Sequence, residues 1–182
     1  MANPITTYGN PVLRKKAESV AEVTPELRTL ADRMLGLMYS ADGIGLAAEQ
    51  IGRTEALFVL DVPAHVDQDE QGRPNNPGVT MPMVIFDPEI IGTSKETDDY
   101  EEGCLSFPGI LVTVTRPKEA VLRYLDRDGN EQTLNAKGLV ARAIQHENDH
   151  LNGVLLVDHM NIGGKILNFC KLSRLIRQNK NA

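Results

Sequence analysis

The spacing of hydrophobic residues predicts a helix that begins close to Thr24. Leucine and methionine recur there at intervals of three and four, at Leu27, Leu30, Met34, Leu37 and Met38. This spacing puts them on one face of a helix. Thr24 can cap the helix, and Pro25 suits its first turn. Two glycines in the segment 42–45 predict that the helix stops before residue 42.

Aliphatic and β-branched runs predict strands over residues 54–62 and 83–91. The segment 63–82 between them is polar and rich in Asp, Gln, Asn, Pro and Gly, and we expect a surface insert. A connection of this length is a lid, a partner-binding loop or a mobile insert, and the sequence leaves all three open. Residues 110–136 alternate as short strands do, with a hairpin at Asp128 and Gly129.

The periodicity becomes helical after Gly138 and stays so through Gly153. A last helix is predicted over residues 162–178, with an apolar side formed by Ile166, Phe169, Leu172, Leu175 and Ile176. We therefore predict a single domain, residues 1–182, of the α+β class. Its mainly antiparallel sheet packs around the helix that follows Gly138, and further helices lie towards both ends of the chain.

The composition is that of a globular protein, with 41% hydrophobic and 24% charged residues among 182. The net charge of −6 argues against binding nucleic acid over the whole surface, and we expect no DNA partner. No apolar stretch approaches the ~20 residues of a membrane span, so we expect no membrane partner. The first residues lack the features of a secretory signal. We expect a cytoplasmic protein, with a mature organellar form as the alternative.

His146 and His150 are the residues most indicative of chemistry. They lie four positions apart, so on a helix both imidazoles project from one face, with Leu139 and Ala143 in the same stripe. Two ring nitrogens in this arrangement can bind one divalent ion. Glu147 lies on the adjacent edge, where it can reach a water on that ion without being a ligand.

A catalytic metal site needs a third protein ligand and an open position. The metzincin pattern would put a histidine where Leu156 stands, and no glutamate follows Glu147 to complete a thermolysin-like set. Asp158 and His159 are the remaining donors downstream. Upstream the best donor is Cys104, because a thiolate binds borderline and soft ions well. The alternatives for this cysteine are a small buried hydrophobe and a disulfide with the only other cysteine.

Three segments, taken together and in this order, closely resemble the motifs of the peptide deformylases. They are residues 43–50 (GIGLAAEQ), 102–106 (EGCLS) and 146–150 (HENDH). The family patterns G-x-G-L-A-A-x-Q, E-G-C-L-S and H-E-x-D-H match at every fixed position. The resemblance extends from Tyr8 to Leu155, and the helix after residue 162 is similar to that of the class I branch.

This resemblance implies a metal centre and a reaction. Cys104, His146 and His150 would hold one divalent metal, with Fe(II) expected in the cell and Zn, Ni or Co in purified protein. The reaction would be hydrolysis of the N-formyl group from the starting methionine of newly made polypeptides, which releases formate. Glu147 would accept and deliver the proton.

The resemblance also implies an oxyanion hole and a peptide site. The Gln50 amide and the Leu105 backbone N–H would stabilise the oxygen that becomes negative. Six residues would form the methionine pocket and receive the peptide backbone: Ile44, Gly45, Gly103, Leu105, Leu139 and Ala143.

Supporting residues are expected around the ligands. Glu102 would pair with an arginine such as Arg142, which also makes the pocket rim more polar. Asp149 would orient a ligand histidine or nearby backbone, with a plain surface charge as the alternative. His65 and His159 have no partner pattern, and we expect both to be solvated.

The end of the chain is basic, since no acidic residue follows Asp158. Five basic residues follow it: Lys165, Lys171, Arg174, Arg177 and Lys180. This segment is either a docked helix with a solvated basic face or a contact with ribosomal RNA that brings the protein to nascent formylmethionyl chains.

Two other function classes stay open from the residues alone. A metalloendopeptidase is disfavoured by Leu156 and by the missing downstream glutamate. A metal-stabilised binding module without activity is disfavoured because Glu147 and Gln50 are both present.

Overall fold

The computed structural model describes residues 5–180 of the chain, and of Lys180 only the backbone. The elements within this range are α1 (Pro25–Ser40), β1 (Gly45–Ala47), β2 (Leu57–Leu60), β3 (Met83–Thr93), β4 (Thr97–Gly103), β5 (Leu111–Pro117), β6 (Glu119–Leu125), β7 (Glu131–Lys137), α2 (Gly138–Leu151), α3 (Ile162–Leu167) and α4 (Phe169–Lys180). Short 3₁₀ helices cover Pro11–Arg14, Ala48–Ile51 and Leu156–Asp158. None of the helices in this range is long and apolar enough to cross a membrane.

The strands form two antiparallel sheets. The larger has five strands in the order β1-β2-β3-β6-β7, and the smaller pairs β4 with β5. The hairpin predicted at Asp128 and Gly129 joins β6 to β7, and the helix predicted after Gly138 is α2. The predicted α+β class, with a mainly antiparallel sheet and a central helix, is therefore confirmed.

Strand β2 lies between two helices. Leu57 and Val59 belong to the core shared with α1, whereas Phe58 and Leu60 belong to the core shared with α2. All four side chains are fully buried. A strand covered on both faces has a continuous hydrophobic sequence rather than an alternating one. The large sheet thus has α1 on one face and α2, the helix that carries His146 and His150, on the other.

A third core joins the small sheet to the end of the chain. Val112 and Val114 of β5 pack with Phe107, Leu155 and Leu172. The burial of β5 alternates strictly over its first six residues, which is the period expected for a strand with one covered face. This core supports the segment that carries Cys104, whose side chain packs against it.

Two strands were not predicted. In β4 only Glu102 is buried, so its sequence carries no hydrophobic alternation. The strand forms because its backbone pairs with β5 along its whole length, from Thr97 opposite Pro117 to Gly103 opposite Leu111. Strand β1 has three residues and begins at Gly45, the second of the helix-breaking glycines, and its pairing with β2 is a tertiary contact.

The last helix differs from the prediction because it is interrupted at Asn168. The Asn168 side chain donates to the carbonyl of Gly164 at 3.0 Å, and such bonds compete with helix continuation. On the predicted apolar side, Leu172 is buried, but Ile166 and Phe169 are 70% and 66% exposed. Only α4 reaches the third core, so the expectation of one continuous packed face is wrong.

Candidate active site

The histidines of α2 and the cysteine that follows β4 meet in one place. Sγ of Cys104 lies 3.2 Å from Nε2 of His150, and the rings of His146 and His150 are 5.2 Å apart. One donor atom from each of the three residues lies within 4.8 Å of the other two. Ligand bonds of about 2.0–2.3 Å would allow one ion to reach all three.

The surroundings shift the pKa values of the two histidines in opposite directions. Burial, with the positive charges of His146 and Arg116, holds the pKa of His150 well below its usual range, which favours the neutral ring. Burial acts in the same direction on His146, but hydrogen bonds with Cys104 and Glu102 outweigh it and raise that pKa. The surroundings of His146 therefore stabilise positive charge at the centre of the site.

Glu102 connects this group to two buried arginines. Its Oε2 lies 2.9 Å from Nδ1 of His146, and its Oε1 accepts from Arg116 at 2.7 Å and from Arg142 at 2.8 Å. Burial alone would raise the pKa of Glu102, but hydrogen bonds from His146 and Arg116 lower it well below the usual range. The expected Glu102–Arg142 contact is present, and with Nδ1 bound to Glu102 the Nε2 of His146 is left to face Cys104.

Arg116 was missed in the sequence. It occupies the third inward position of β5, after Val112 and Val114, and is 5% exposed. The strand pattern could have identified it, because an arginine at a buried position of an alternating strand requires a buried carboxylate partner. The structure supplies Glu102 and Asp149, which both accept from its guanidinium.

Asp149 acts differently from the expectation. Its Oδ2 accepts from Arg116 at 2.9 Å and lies 2.9 Å from Nε2 of His159. It therefore approaches His146 only through the Arg116–Glu102 pair. The expectation that His159 is solvated is wrong, because its ring is partly buried against Asp149. His65 is exposed, as expected.

Arg142 is a buried residue, and its role goes beyond making the cavity rim more polar. Its guanidinium donates to the carbonyl of Val114 and to the main chain and side chain of Asp98. Its Cζ also lies 5.3 Å from the centre of the Tyr100 ring. These contacts attach α2 to the small sheet, at the edge of the cavity that both line.

Glu147 points into the space beside the histidines. It is 5% exposed, and its Oε2 has no hydrogen-bond partner among the described residues. A Cβ at Gly45 would overlap Oε1 of Glu147, so glycine is required there for the carboxylate to occupy this position. Burial raises the pKa of Glu147 to about 7, against the lowering effect of His146 and Arg116.

Gln50 is held with its amide nitrogen towards the cysteine. Its Oε1 accepts from the backbone N–H of Ala47 at 2.8 Å, which fixes which way the amide points. Its Nε2 donates to Oγ of Ser106 at 3.2 Å and to Sγ of Cys104 at 3.6 Å. Gln50 is 1% exposed, so it is a buried polar group aimed at the site.

A cavity of about 660 Å³ opens onto these residues. Cys104, His146, Glu147 and Gln50 are among the residues that line it. The six residues expected to contact substrate also line it: Ile44, Gly45, Gly103, Leu105, Leu139 and Ala143. A largely apolar cavity with a few converging polar groups is the usual form of a small-ligand site.

One buried acid was not singled out in the sequence. Glu49 is fully buried, and neither carboxylate oxygen has a hydrogen-bond partner in the described part of the chain. Burial, reinforced by the charges of Glu147 and Glu55, raises its pKa to about 8. Its neutral form therefore predominates at pH 7.

Comparisons with known proteins agree on one family. Residues 2–165 match the family model described as polypeptide deformylase. A peptide deformylase of Salinibacter ruber is 46% identical over 161 residues, which cover 88% of this chain and 81% of that protein. A peptide deformylase of Rhizobium meliloti is 42% identical over 157 residues, covering 86% and 84%.

Solved structures give the same result. The crystal structure of a peptide deformylase from Ehrlichia chaffeensis superposes with a TM-score of 0.86 at 31% identity, covering 100% of this chain and 98% of the other. Its complex with actinonin superposes with a TM-score of 0.83 at 32% identity, covering 96% and 95%. The likeness therefore extends over both sheets and the helix that carries the histidines.

Proposed function

The chain belongs to the peptide deformylase family, and we propose that Cys104, His146 and His150 hold the metal ion of its active site. The protein is a metal-dependent hydrolase that removes the N-formyl group from nascent formylmethionyl peptides. The observation that carries the ligand assignment is the convergence of one sulfur and two imidazoles beside Glu147 and Gln50. No other such ligand set was found in the described part of the chain.

The donor set suits a borderline divalent ion. One thiolate and two imidazoles bind Fe(II), Zn, Ni and Co, and affinity order alone does not favour iron. We expect Fe(II) in the cell because availability decides between such ions, and Zn, Ni or Co in purified protein. The contact of Glu102 with His146 supports the assignment, since metal-bound histidines commonly donate their other ring nitrogen to a carboxylate.

Glu147 is the proposed proton carrier. When bound, the ion would lower the pKa of a water molecule and polarise the formyl oxygen. Glu147 then accepts the proton of the attacking water as the C–O bond forms, and delivers it to the amine nitrogen as the C–N bond breaks. Its burial and its unpartnered Oε2 leave it free to accept that proton.

The formyl oxygen gains negative charge during attack and needs donors. Gln50 Nε2, oriented by Ala47, and the backbone N–H of Leu105 are the proposed donors. A donor of this kind is worth about 3–4 kcal/mol of transition-state stabilisation. Because the bond from Ala47 already fixes which way the amide points, the Gln50 donor end faces the site before the charge develops.

The cavity walls are proposed to select methionine. Leu105, Leu139, Ala143 and Ile44 present apolar surface to the substrate side chain. An unbranched thioether fills irregular apolar space well. The backbone at Gly45 and Gly103 borders the same cavity and would pair with the extended peptide.

One assay separates the possible roles of the site. Formyl-Met-Ala-Ser is incubated with protein prepared without oxygen, and formate and new amino termini are measured separately. We expect formate without internal cleavage, and a Glu147→Gln variant that keeps its metal but loses about 10²–10⁴ of the rate. Internal cleavage would indicate an endopeptidase, and bound metal with neither product would indicate an inactive binding module. Full activity of Glu147→Gln would contradict the assigned proton transfer.

A second proposal concerns the ribosome. Leu172 and Leu175 of α4 pack on the third core, while nearby basic side chains are exposed: Lys165, Lys171, Arg174 and Arg177. The side chain of Lys180, expected in the same group, lies outside the described residues. We propose that this basic face contacts ribosomal RNA, which would bring the enzyme to its substrates.

Ribosome co-sedimentation at several salt concentrations tests this contact. The double variant Arg174→Gln/Arg177→Gln should bind more weakly, with a salt dependence reduced by about one to two contacts. Lys15→Gln/Lys16→Gln removes two exposed charges elsewhere and serves as the control. Equal binding by both double variants would contradict the proposal.

The substrate suggests a location. Nascent formylmethionyl chains occur where proteins are made, and the compared relatives from Salinibacter ruber and Rhizobium meliloti are bacterial. We propose the bacterial cytoplasm. Fractionation of the source cells tests this, and recovery from an organelle would point to the mature organellar alternative.

A further inference from the structure

Helix α2 begins without a cap from its own sequence. Lys137 stands at the N-cap position but makes no side-chain cap bond, and the first turn carries no acidic residue. The first N–H groups of a helix have no partner within the helix, so they need one from elsewhere. Asp67, from the segment 63–82, supplies it: its Oδ1 accepts from the backbone N–H of Leu139 at 2.9 Å.

Asp67 is itself firmly held. It is 4% exposed, and its two oxygens accept from Asn75 at 3.3 Å and from Asn76 at 2.6 Å. The Asn76 side chain also bonds both backbone groups of Lys137, accepting from its N–H at 3.0 Å and donating to its carbonyl at 2.9 Å. The insert is thus attached at the exact junction between β7 and α2.

Gly138 adapts the main chain to this attachment. Its φ of +56° is a conformation that favours glycine. A Cβ at this position would lie 2.9 Å from Oδ1 of Asp67 and would overlap the side chain of Asn75. The junction is therefore shaped to receive the insert directly against the first turn of α2.

The residue that Asp67 holds belongs to the cavity wall. Leu139 lines the cavity together with Ala143, one turn further along the same helix. We propose that Asp67 is a positioning residue that caps α2 from the insert and so fixes Leu139 for contact with the substrate side chain. This inference rests on the proposed role of the cavity in binding methionine. It makes the segment 63–82 a structural support of the active-site helix.

Variants at Asp67 test the inference against a control in the same segment. Asp67→Ala removes both acceptors, and Asp67→Asn keeps the shape and one acceptor oxygen. Asp69→Ala is the control, because the Asp69 carboxylate bonds only Gln71 and Arg73 within the insert. Each protein is loaded with Co(II), and kcat and KM for formyl-Met-Ala-Ser are measured with hydrogen exchange of the Leu139 amide.

The expected result is a split between binding and turnover. Asp67→Ala should raise KM about fivefold, the factor that corresponds to the usual free-energy cost of removing a helix cap. The same variant should change kcat less than about twofold. Its Leu139 amide should exchange about tenfold faster. Asp67→Asn should give an intermediate KM, and it provides the measurement should the alanine variant fail to fold.

Other results would overturn the inference. Wild-type KM and exchange in Asp67→Ala and Asp67→Asn would show that the cap does not position Leu139. An equal rise of KM in Asp69→Ala would assign the effect to general disturbance of the insert. Absence of formate release by the Co(II)-loaded wild type would instead overturn the proposed function, and amide exchange would still test the cap.

Discussion

Glu102 contacts Nδ1 of His146 at 2.9 Å and also forms ion pairs with two buried arginines, Arg116 and Arg142. One carboxylate therefore orients a proposed metal ligand and compensates two buried cations. Since an unpaired buried charge is costly, the geometry of the metal site and the stability of the fold depend on the same side chain.

Replacing Glu102 should weaken both metal binding and folding. In Glu102→Gln we expect the dissociation constant for Co(II) to rise about 10–100-fold, and the free energy of unfolding to fall by about 3 kcal/mol. Chelator competition and urea unfolding measure the two effects. Glu89→Gln breaks an exposed pair with Arg123 and should cost less than about 1 kcal/mol. Equal effects in both variants would contradict this assignment.

A methyl group at Gly45 should displace Glu147. Gly45→Ala puts a Cβ where Oε1 of Glu147, the proposed proton carrier, lies, and misplacing such a group by about 1 Å costs on the order of 10²-fold. We expect kcat to fall by about that factor with metal content unchanged. Gly36→Ala is the matched control, because nothing lies within 4 Å of its Cβ. That variant should gain about 0.5–1 kcal/mol of stability at full activity, and an equal fall of kcat would refute the steric argument.

Gln50 should act in the transition state more than in substrate binding. Gln50→Glu keeps the acceptor for Ala47 but replaces the donor that faces Cys104. Loss of this proposed oxyanion donor predicts a kcat lower by about 10²–10³ with KM nearly unchanged. Steady-state kinetics of the metal-loaded variant measure this. A rise of KM at constant kcat would assign Gln50 to substrate binding.

Glu49 should make stability depend on pH. Its pKa rises from 4.5 in the unfolded chain to about 8 in the fold, so the folded state keeps a proton that the unfolded state releases. The stability present below pH 4.5 is therefore lost as pH rises towards 8. Between pH 6 and pH 8 the wild type should lose about 2 kcal/mol more than Glu49→Gln in urea unfolding. Parallel losses in the two proteins would contradict the assigned burial effect.

Much of the fold was predictable where burial imposes a period on the sequence. Helix α1, with its Thr24 cap, follows the spacing of its hydrophobic residues closely, and strand β2 lies within the apolar run predicted as a strand over residues 54–62. Strand β4 did not, because only Glu102 is buried and its pairing with β5 is formed by backbone atoms that any sequence provides. The break at Asn168 likewise depends on how little of α3 reaches a core.

The candidate site likewise has parts that the sequence predicts and parts that it does not. The spacing of His146 and His150 predicts a shared helix face, and the motif resemblance pointed to Cys104. Which charges surround them depends on how the two sheets meet. Arg116 reaches Asp149 from the small sheet and His159 reaches it from the segment that follows α2, and neither pairing has a local pattern in the sequence.

The three proposed ligands lie in two different parts of the molecule. Cys104 rests on the third core beside the small sheet, whereas the histidines belong to the helix that covers the large one. An ion held by all three would act as a cross-link between two layers, closing a chain loop from Cys104 to His146 much as a disulfide does. Loss of the ion would remove that cross-link and leave the contacts of Arg142 with Val114 and of Arg116 with Asp149 to hold the small sheet to the helix.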